Sequence, residues 1–398
     1  MELLAPAGNF EKLRYAVAYG ADAVYAAYRS FGLRAAGDNF DEEGLKEAIA
    51  YCHERGKKIY ITVNIYPTSE DLKVLPAFFE MLETLGPDGM IIADLGVMAL
   101  AKRYAPHIPI HISTQANVTN GEAAAVWADL GASRLVLARE MSLKEIRALR
   151  ERLPKEVELE CFAHGAMCIS YSGRCLLSAV MTGRSGNQGA CAHPCRWHYA
   201  LMEEKRQGEY FPIEEDDRGT YIMNSKDLCL IEHLKELEEA GVASLKIEGR
   251  MKSFYYAACV TRAYRKALDD LAQGKPFDPK LMDELRAVSH RDYTTGFLFG
   301  TPDATAQETE FGGYIRLTDV VAVATREEGL FLQKNKFELG ETLEVLTPDA
   351  EPYKITIQEM QNDRGEPIES APHAEMLVRM PLSLPPESIL RRTKEREN

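Results

Sequence analysis

Nothing in this chain approaches the roughly 20 consecutive apolar residues that a bilayer-spanning helix needs, so no membrane-crossing helix is expected. The opening MELLAPAG lacks the basic flank and long apolar stretch of a secretory signal, and reads as a strand that begins at once. A cytoplasmic location is the expectation. Basic residues are in deficit: 47 Lys and Arg against 61 Asp and Glu leave a net charge of −14. That balance argues against a non-specific nucleic-acid-coating surface, because phosphate binding needs a local excess of Lys and Arg. One local basic face would still be enough for an enzyme acting on RNA. Several catalytic signatures are missing too. There is no Walker A loop, no GxSxG elbow and no HExxH helix, and Ser172 and Ser178 have no evident base. A conventional serine or zinc protease is therefore not supported.

Cysteine is scarce, eight residues in all, yet Cys168, Cys175, Cys191 and Cys195 fall within 28 residues, among glycines and small polar side chains. Thiolates gathered in a loop repel one another, and in a reducing compartment what holds them together is usually a metal or an iron–sulfur cluster rather than disulfides. The spacing is C-x6-C-x15-C-x3-C. Cluster spacings vary by family, whereas structural zinc uses tight pairs, and only the last pair here is that close. His193 and His198 nearby keep zinc open, and buried inert thiols are the bland reading. Cys52, Cys161 and Cys259 fit that bland reading, each lying within a helix or strand pattern, and Cys229 is a reserve ligand.

Short β-branched runs alternate with amphipathic helical patterns across the first three-quarters of the chain. Strands are expected at 2–6, 22–26, 58–64, 89–93, 108–114, 134–138, 157–165 and 244–249. Such alternation builds right-handed parallel units, and eight of them fit a closed (β/α)8 TIM-like barrel. A doubly wound sheet is the runner-up, but APAGNF after the first strand is not its Gly-rich fingerprint. The seventh and eighth strands are separated by a long insertion, about 166–225, that contains all four clustered cysteines, followed by WHYALMEE and GTYIMNS, which resemble a two-stranded extension. Loops leaving the C-terminal ends of barrel strands build active sites, so chemistry is expected at that mouth. The barrel domain is read as 1–300. Alternating apolar and polar residues over 313–390 predict a small C-terminal antiparallel β-domain.

Charges inside parallel strands are expensive unless paired. Period 2 puts Glu158, Glu160 and His164 on one face of strand seven, and Lys246 and Glu248 on one face of strand eight, with Arg250 following. The functional reading is a polar cavity with Glu160, His164 and Glu248 as catalytic groups and Lys246 and Arg250 as binding groups. The bland reading is a buried ion-pair network. Asn64, Asp94, Gln115 and Arg139 fall at other strand ends, where each alone is more often a helix cap or loop contact than a catalytic group, though together they would ring one barrel mouth. A Cys–His pair from Cys168 or Cys175 with His164 is formally available, but four clustered thiols favour ligation.

The run from Glu160 to Ser178, E-C-F-A-H-G-A-M-C-x4-G-R-C-x2-S, resembles the signature of peptidase family U32. The resemblance extends over nearly the whole chain, through ELLAPAGNFEKL, SLKIEGRMKS, SHRDYTTGFLFG and NKFELGETLEVLTP. ACAHPCRW, GTYIMNSKDL and the tail look most like the branch that uses prephenate to form 5-hydroxyuridine at the tRNA wobble position. GLRAAGDNF lacks the early cysteine of one ubiquinone-pathway branch, which again favours the RNA branch. The resemblance implies a 4Fe–4S cluster on Cys168, Cys175, Cys191 and Cys195, the tRNA anticodon region as partner and prephenate as co-substrate, and it leaves homo- or hetero-oligomers open. Prephenate is a dianion, and Arg binds carboxylates bidentately. Arg139, Arg174 and Arg250 are its candidate partners, with Lys246 beside them. An extruded uridine would need stacking aromatics, for which Tyr171, Trp197 and Tyr293 are candidates, and Lys334 and Lys336 in the C-terminal domain could grip the tRNA body. Two rival readings are a U32-type protease acting on collagen-like chains and a non-catalytic cluster-bearing scaffold.

Overall fold

The computed structural model describes residues 1–32, 39–168, 170–197, 201–202, 210–211, 215–216, 219–220, 225–300 and 314–393. Eight parallel strands close on themselves: β1 (Glu2–Pro6), β2 (Ala23–Ala27), β3 (Lys58–Val63), β4 (Gly89–Ile92), β5 (Ile110–Ile112), β6 (Arg134–Val136), β7 (Glu158–Ala166) and β8 (Val242–Ile247). Closure comes from β8, which pairs with β1 (Leu3 opposite Leu245) and with β7 (Leu245 opposite Cys161). The expected TIM-like barrel is what forms, and the doubly wound alternative is excluded by that closure. Helices on the outside cover the barrel with their apolar stripes. Many start where the sequence supplies a cap: Asn9, Asp41, Asp94, Asn120 and Ser142 all accept backbone N–H bonds at helix starts. Asp94 is therefore a cap and not a member of the mouth. No helix among the described residues is long and apolar enough to cross a membrane.

Strand β7 runs nine residues, and its upper end leaves the barrel to pair antiparallel with the short strand Asp227–Cys229 (Cys229 opposite His164, Asp227 opposite Ala166). Between these two strands runs the cysteine-bearing insertion. It holds a short helix (Leu177–Thr182), two helical turns (Gly186–Gln188 and Pro194–Arg196) and two separate strand pairs. The extension expected from WHYALMEE and GTYIMNS differs in its pairing. Leu201–Met202 pairs with Tyr210–Phe211, and Glu215–Asp216 pairs with Gly219–Thr220, so the two segments do not pair with each other there. His198 and Met223 lie outside the described residues.

Beyond the barrel, six antiparallel strands (Thr318–Ala324, Leu330–Gln333, Thr342–Leu346, Tyr353–Thr356, Leu377–Arg379 and Ile389–Thr393) form the C-terminal sheet, with Val321, Phe331, Leu343, Val378 and Leu390 buried on its inner face. This sheet docks on the barrel's helices. The Tyr19 hydroxyl lies 3.0 Å from the carbonyls of Leu346 and Glu387, and Arg391 Nη1 donates to the Tyr255 hydroxyl at 2.9 Å. Arg14 also pairs with Glu387. Lys334 faces Glu11 and Glu375, and Lys336 faces Glu338, so both lysines already meet carboxylates.

The lower barrel is not purely apolar. Arg134 on β6 reaches Glu2 (2.6 Å), Glu158 (2.5 Å) and Glu160 (3.0 Å), and Lys246 on β8 meets the other Glu160 oxygen at 2.9 Å. Glu160 is fully buried. Burial alone would raise its pKa, but Lys246 and Arg134 outweigh that and hold the carboxyl below its ordinary value. Buried charges of this kind persist only when every one has its counter-ion and hydrogen bonds.

Candidate active site

A cavity of about 200 Å³ opens at the C-terminal end of the barrel. Strand ends supply its floor: Thr62 from β3, Phe162 from β7 and Lys246 from β8, with Asn64, Gln115 and Arg139 from the following loops. The insertion supplies its outer wall. Cys168, Cys175, Cys191 and Cys195 all line this one cavity, and none is in a disulfide. Residues 23 or more apart in sequence, such as Cys168 and Cys191, meet here because the insertion folds back over the mouth and returns beside β7. Among the described residues, no three His, Cys, Asp or Glu side chains stand close enough together to hold a metal ion.

The remaining thiols have a different environment. Burial pushes Cys161 and Cys259 up to about 12, which keeps both protonated and inert at neutral pH. Cys229, the reserve ligand, is buried 3.9 Å from the Tyr264 hydroxyl and lies off the cavity, its thiol raised to about 11 by burial.

The cationic groups converge on the same space. Lys246, Arg139, Arg250 and Arg291 line it, with Glu248 as the one acidic residue among the lining residues. Arg139 stacks on Phe162 (3.9 Å from guanidinium carbon to ring centre), donates to the Ala166 carbonyl at 3.1 Å and lies 3.6 Å from Glu248. Lys246 sits over the Tyr25 ring at 4.4 Å while bonded to Glu160 below. Arg250 donates to Thr62 Oγ1 at 3.2 Å. Two buried polar atoms at this cavity, Asn64 Oδ1 and Arg139 Nε, have no hydrogen-bond partner among the described residues. Buried polar atoms without partners cost free energy, so they mark where a polar ligand would be satisfied.

Sequence periodicity assembled part of this site. Lys246, Glu248 and Arg250 reach the cavity as period 2 requires. Glu160 lies beneath it in the ion-pair network and is absent from its lining. His164 points the other way. The β7–β8 register slips between the pairs Phe162–Lys246 and His164–Ile247, so β7 spends two residues against one of β8. Such a bulge reverses the alternation beyond it. His164 therefore shares a face with Ile247, outside the barrel, and packs against Tyr256, Tyr264 and Tyr293. Next to it Gly165 adopts φ +106°, and a Cβ there would lie 2.5 Å from the Glu248 carbonyl oxygen, so only glycine fits this crossing. Arg174 is exposed, donates to Asn117 Oδ1 at 2.6 Å and is not among the cavity-lining residues.

Arg291 is the member that strand periodicity missed. It lies in SHRDYTTG, after the barrel helices, and reaches the mouth through a buried pair with Asp227 (2.8 Å), which also accepts from the Arg291 backbone N–H at 3.2 Å. A charged residue two positions before the short strand Tyr293–Thr294, which pairs with Asp227–Cys229, was the available signal.

The His164 environment makes a testable statement about pH. Burial pushes its pKa down from 6.5 to about 3. The unfolded chain then binds the proton more tightly than the folded one, so stability is full above about 6.5 and is lost as pH falls toward 3. The thermal midpoint should decline with acid over this window, and less steeply in His164→Gln. Equal slopes for the two proteins in a pH series of melts would contradict it.

Comparison with known proteins places these features in context. A sequence model described as peptidase family U32 matches residues 8–308, and one described as the peptidase family U32 C-terminal domain matches residues 316–391. The chain is 39% identical to the tRNA hydroxylation protein P of Escherichia coli K12, over 96% of this chain and 93% of that one. It is 37% identical to the tRNA hydroxylation protein P1 of Bacillus subtilis 168, over 99% and 95%. A protein named collagenase from Porphyromonas gingivalis is 29% identical, over 92% and 90%.

Proposed function

The chain belongs to peptidase family U32, and we propose that it is a tRNA-modifying enzyme that hydroxylates the wobble uridine to 5-hydroxyuridine in a prephenate-dependent reaction. The observation that carries this reading is the meeting of four thiols and four cationic side chains on one barrel-mouth cavity, in a chain similar end to end to tRNA hydroxylation proteins. We further propose that Cys168, Cys175, Cys191 and Cys195 hold a 4Fe–4S cluster. The chemistry of the donor set supports this, with four thiols free of disulfides lining one cavity beside cations that offset thiolate charge, and binding would draw the thiols closer than they stand here. When bound, such a cluster would supply a one-electron redox centre.

The chain's own residues would do the rest. Arg139, Arg250 and Arg291 present guanidinium groups suited to the two carboxylates of prephenate. Lys246, held by Glu160, adds a fixed positive charge on the floor. Glu248 is the acidic residue of the lining, which makes it the candidate to hold or move a proton. Arg139 lies 3.6 Å from it.

Against the collagenase-like reading, the His164 ring faces the outer helices, away from Cys168 and Cys175. The test is anaerobic reconstitution with iron and sulfide, then incubation with tRNA and prephenate. Nucleoside mass spectrometry should detect 5-hydroxyuridine that vanishes when prephenate is omitted. Its absence in fully reconstituted protein would sink the proposal, and gelatin cleavage by the same sample would move the assignment to a protease.

A further inference from the structure

We propose that the outer face of the cysteine insertion is a docking surface for single-stranded RNA, with Arg174 and Arg184 on phosphates and Tyr171 and Trp197 on bases. It rests on the tRNA reading above and adds where the RNA lies.

The first support is charge. Residues 161–202 contain no Asp or Glu but carry Arg174, Arg184 and Arg196, in a chain that has 61 acidic residues and a net charge of −14. This stretch is the local basic segment that the overall composition left room for; the acidic residues of the insertion come after it, over 203–217. The second support is the state of those arginines. Some exposed arginines elsewhere meet carboxylates, as Arg29 does with Asp41, Arg152 with Glu122 and Arg379 with Glu327, and others such as Arg103 and Arg147 do not, so what sets the insertion apart is its sequence context. Arg174 and Arg184 are exposed and meet no carboxylate among the described residues; Arg174 is steadied only by the neutral Asn117. Among the described residues no carboxylate pairs with these two charges, which leaves them available to phosphates.

Position and chemistry narrow the partner. Gly173 and Cys175 flank Arg174, and Gly186 follows Arg184 by two residues; all three line the cavity, so both arginines sit at its rim. Tyr171 and Trp197, 47% and 41% exposed, stand on the same insertion, and Trp197 is one of two tryptophans in the chain. Solvent-exposed aromatics beside arginines are the materials of single-strand binding, where bases stack on rings and phosphates follow the cations. A duplex offers no free base faces to such rings. A loop with unstacked bases does, and one extruded base could then enter the cavity beneath. The C-terminal lysines do not compete for this role, since Lys334 and Lys336 already face carboxylates.

The experiment measures binding of a fluorescein-labelled anticodon stem–loop, and of a blunt RNA duplex of equal length, to the reconstituted full chain across a salt series. Parent, Arg174→Gln, Arg184→Gln and Trp197→Ala are compared, with iron content as the check that the insertion is intact. The parent should prefer the stem–loop. Each Arg→Gln change should weaken binding several-fold and reduce the slope of log K against log salt by about 0.7, the value for one single-strand phosphate contact. Trp197→Ala should weaken binding roughly tenfold, as expected for one lost stack, with the slope unchanged. Equal affinities in all four proteins, with tRNA still hydroxylated, overturn the docking surface and leave the tRNA reading standing. A parent that binds neither RNA overturns both. A parent oligomer that becomes monomeric in these variants by light scattering, with RNA binding unaltered, reassigns the face to a protein contact.

Discussion

A Cys175→Ser protein should purify folded, carry far less iron than the parent after anaerobic reconstitution, and form almost no 5-hydroxyuridine. The reasoning starts from the wall of the cavity, where Cys175 stands with Cys168, Cys191 and Cys195. Serine keeps the size and the hydrogen-bonding capacity but removes the soft thiolate that binds iron. Loss of an outer-shell partner at a metal site typically costs 10–100-fold, so loss of a ligand should cost at least about 100-fold in activity. Folding should be spared, because Cys175 sits in the insertion and not in the barrel core. The matched control is Cys52→Ala. Cys52 is buried in the helix Glu42–His53, raised to about 12 by burial, and should affect stability but not iron content. Iron analysis, visible absorbance and nucleoside mass spectrometry on both variants decide the matter. Full iron and full activity in Cys175→Ser would remove it from the ligand set, and zinc in place of iron in the parent would replace the proposed redox centre.

Glu160→Ala should be among the most destabilising single substitutions in the barrel, lowering the urea midpoint by the equivalent of about 3–5 kcal/mol. The carboxylate is fully buried and answers two cations, Arg134 at 3.0 Å and Lys246 at 2.9 Å. Arg134 keeps Glu2 and Glu158, but among the described residues Lys246 pairs with Glu160 alone. Removing the carboxylate therefore leaves a largely buried ammonium in the cavity floor without its counter-ion. The double variant Glu160→Leu/Lys246→Met removes both charges and should regain much of the loss, because an apolar pair needs no counter-ion. A midpoint for Glu160→Ala within error of the parent would show that water or another group compensates Lys246. The same series separates two roles for Glu160, since a residue with no face on the cavity should act on activity only by positioning Lys246.

Much of this molecule was legible as sequence, for reasons that differ from element to element. The eight strands were readable because strands buried on both faces must be runs of Val, Ile, Leu and Ala, and the helices between them announce their starts with Asn9, Asp41 and Ser142. The cysteine insertion was readable because a break in strand–helix rhythm coincided with a concentration of thiols. Lys246, Glu248 and Arg250 were readable because alternate residues from the end of β8 onward all reach the cavity. His164 was not, since a one-residue bulge is a pairing event between two strands and leaves no mark in the composition of either.

The chain by itself determined the barrel, the site of the insertion and the identity of the thiols, because burial and turn chemistry act on neighbours in sequence. Only the tertiary structure decided which charges face the cavity and which merely neutralise one another. Glu160 and His164 lie four residues apart on one strand, yet one supports the floor and the other looks outward. Arg291 arrives from far along the chain, held by Asp227. Those outcomes depend on register and on partners brought by other strands, and an electrostatic partner is chosen by distance in space, which sequence separation does not encode.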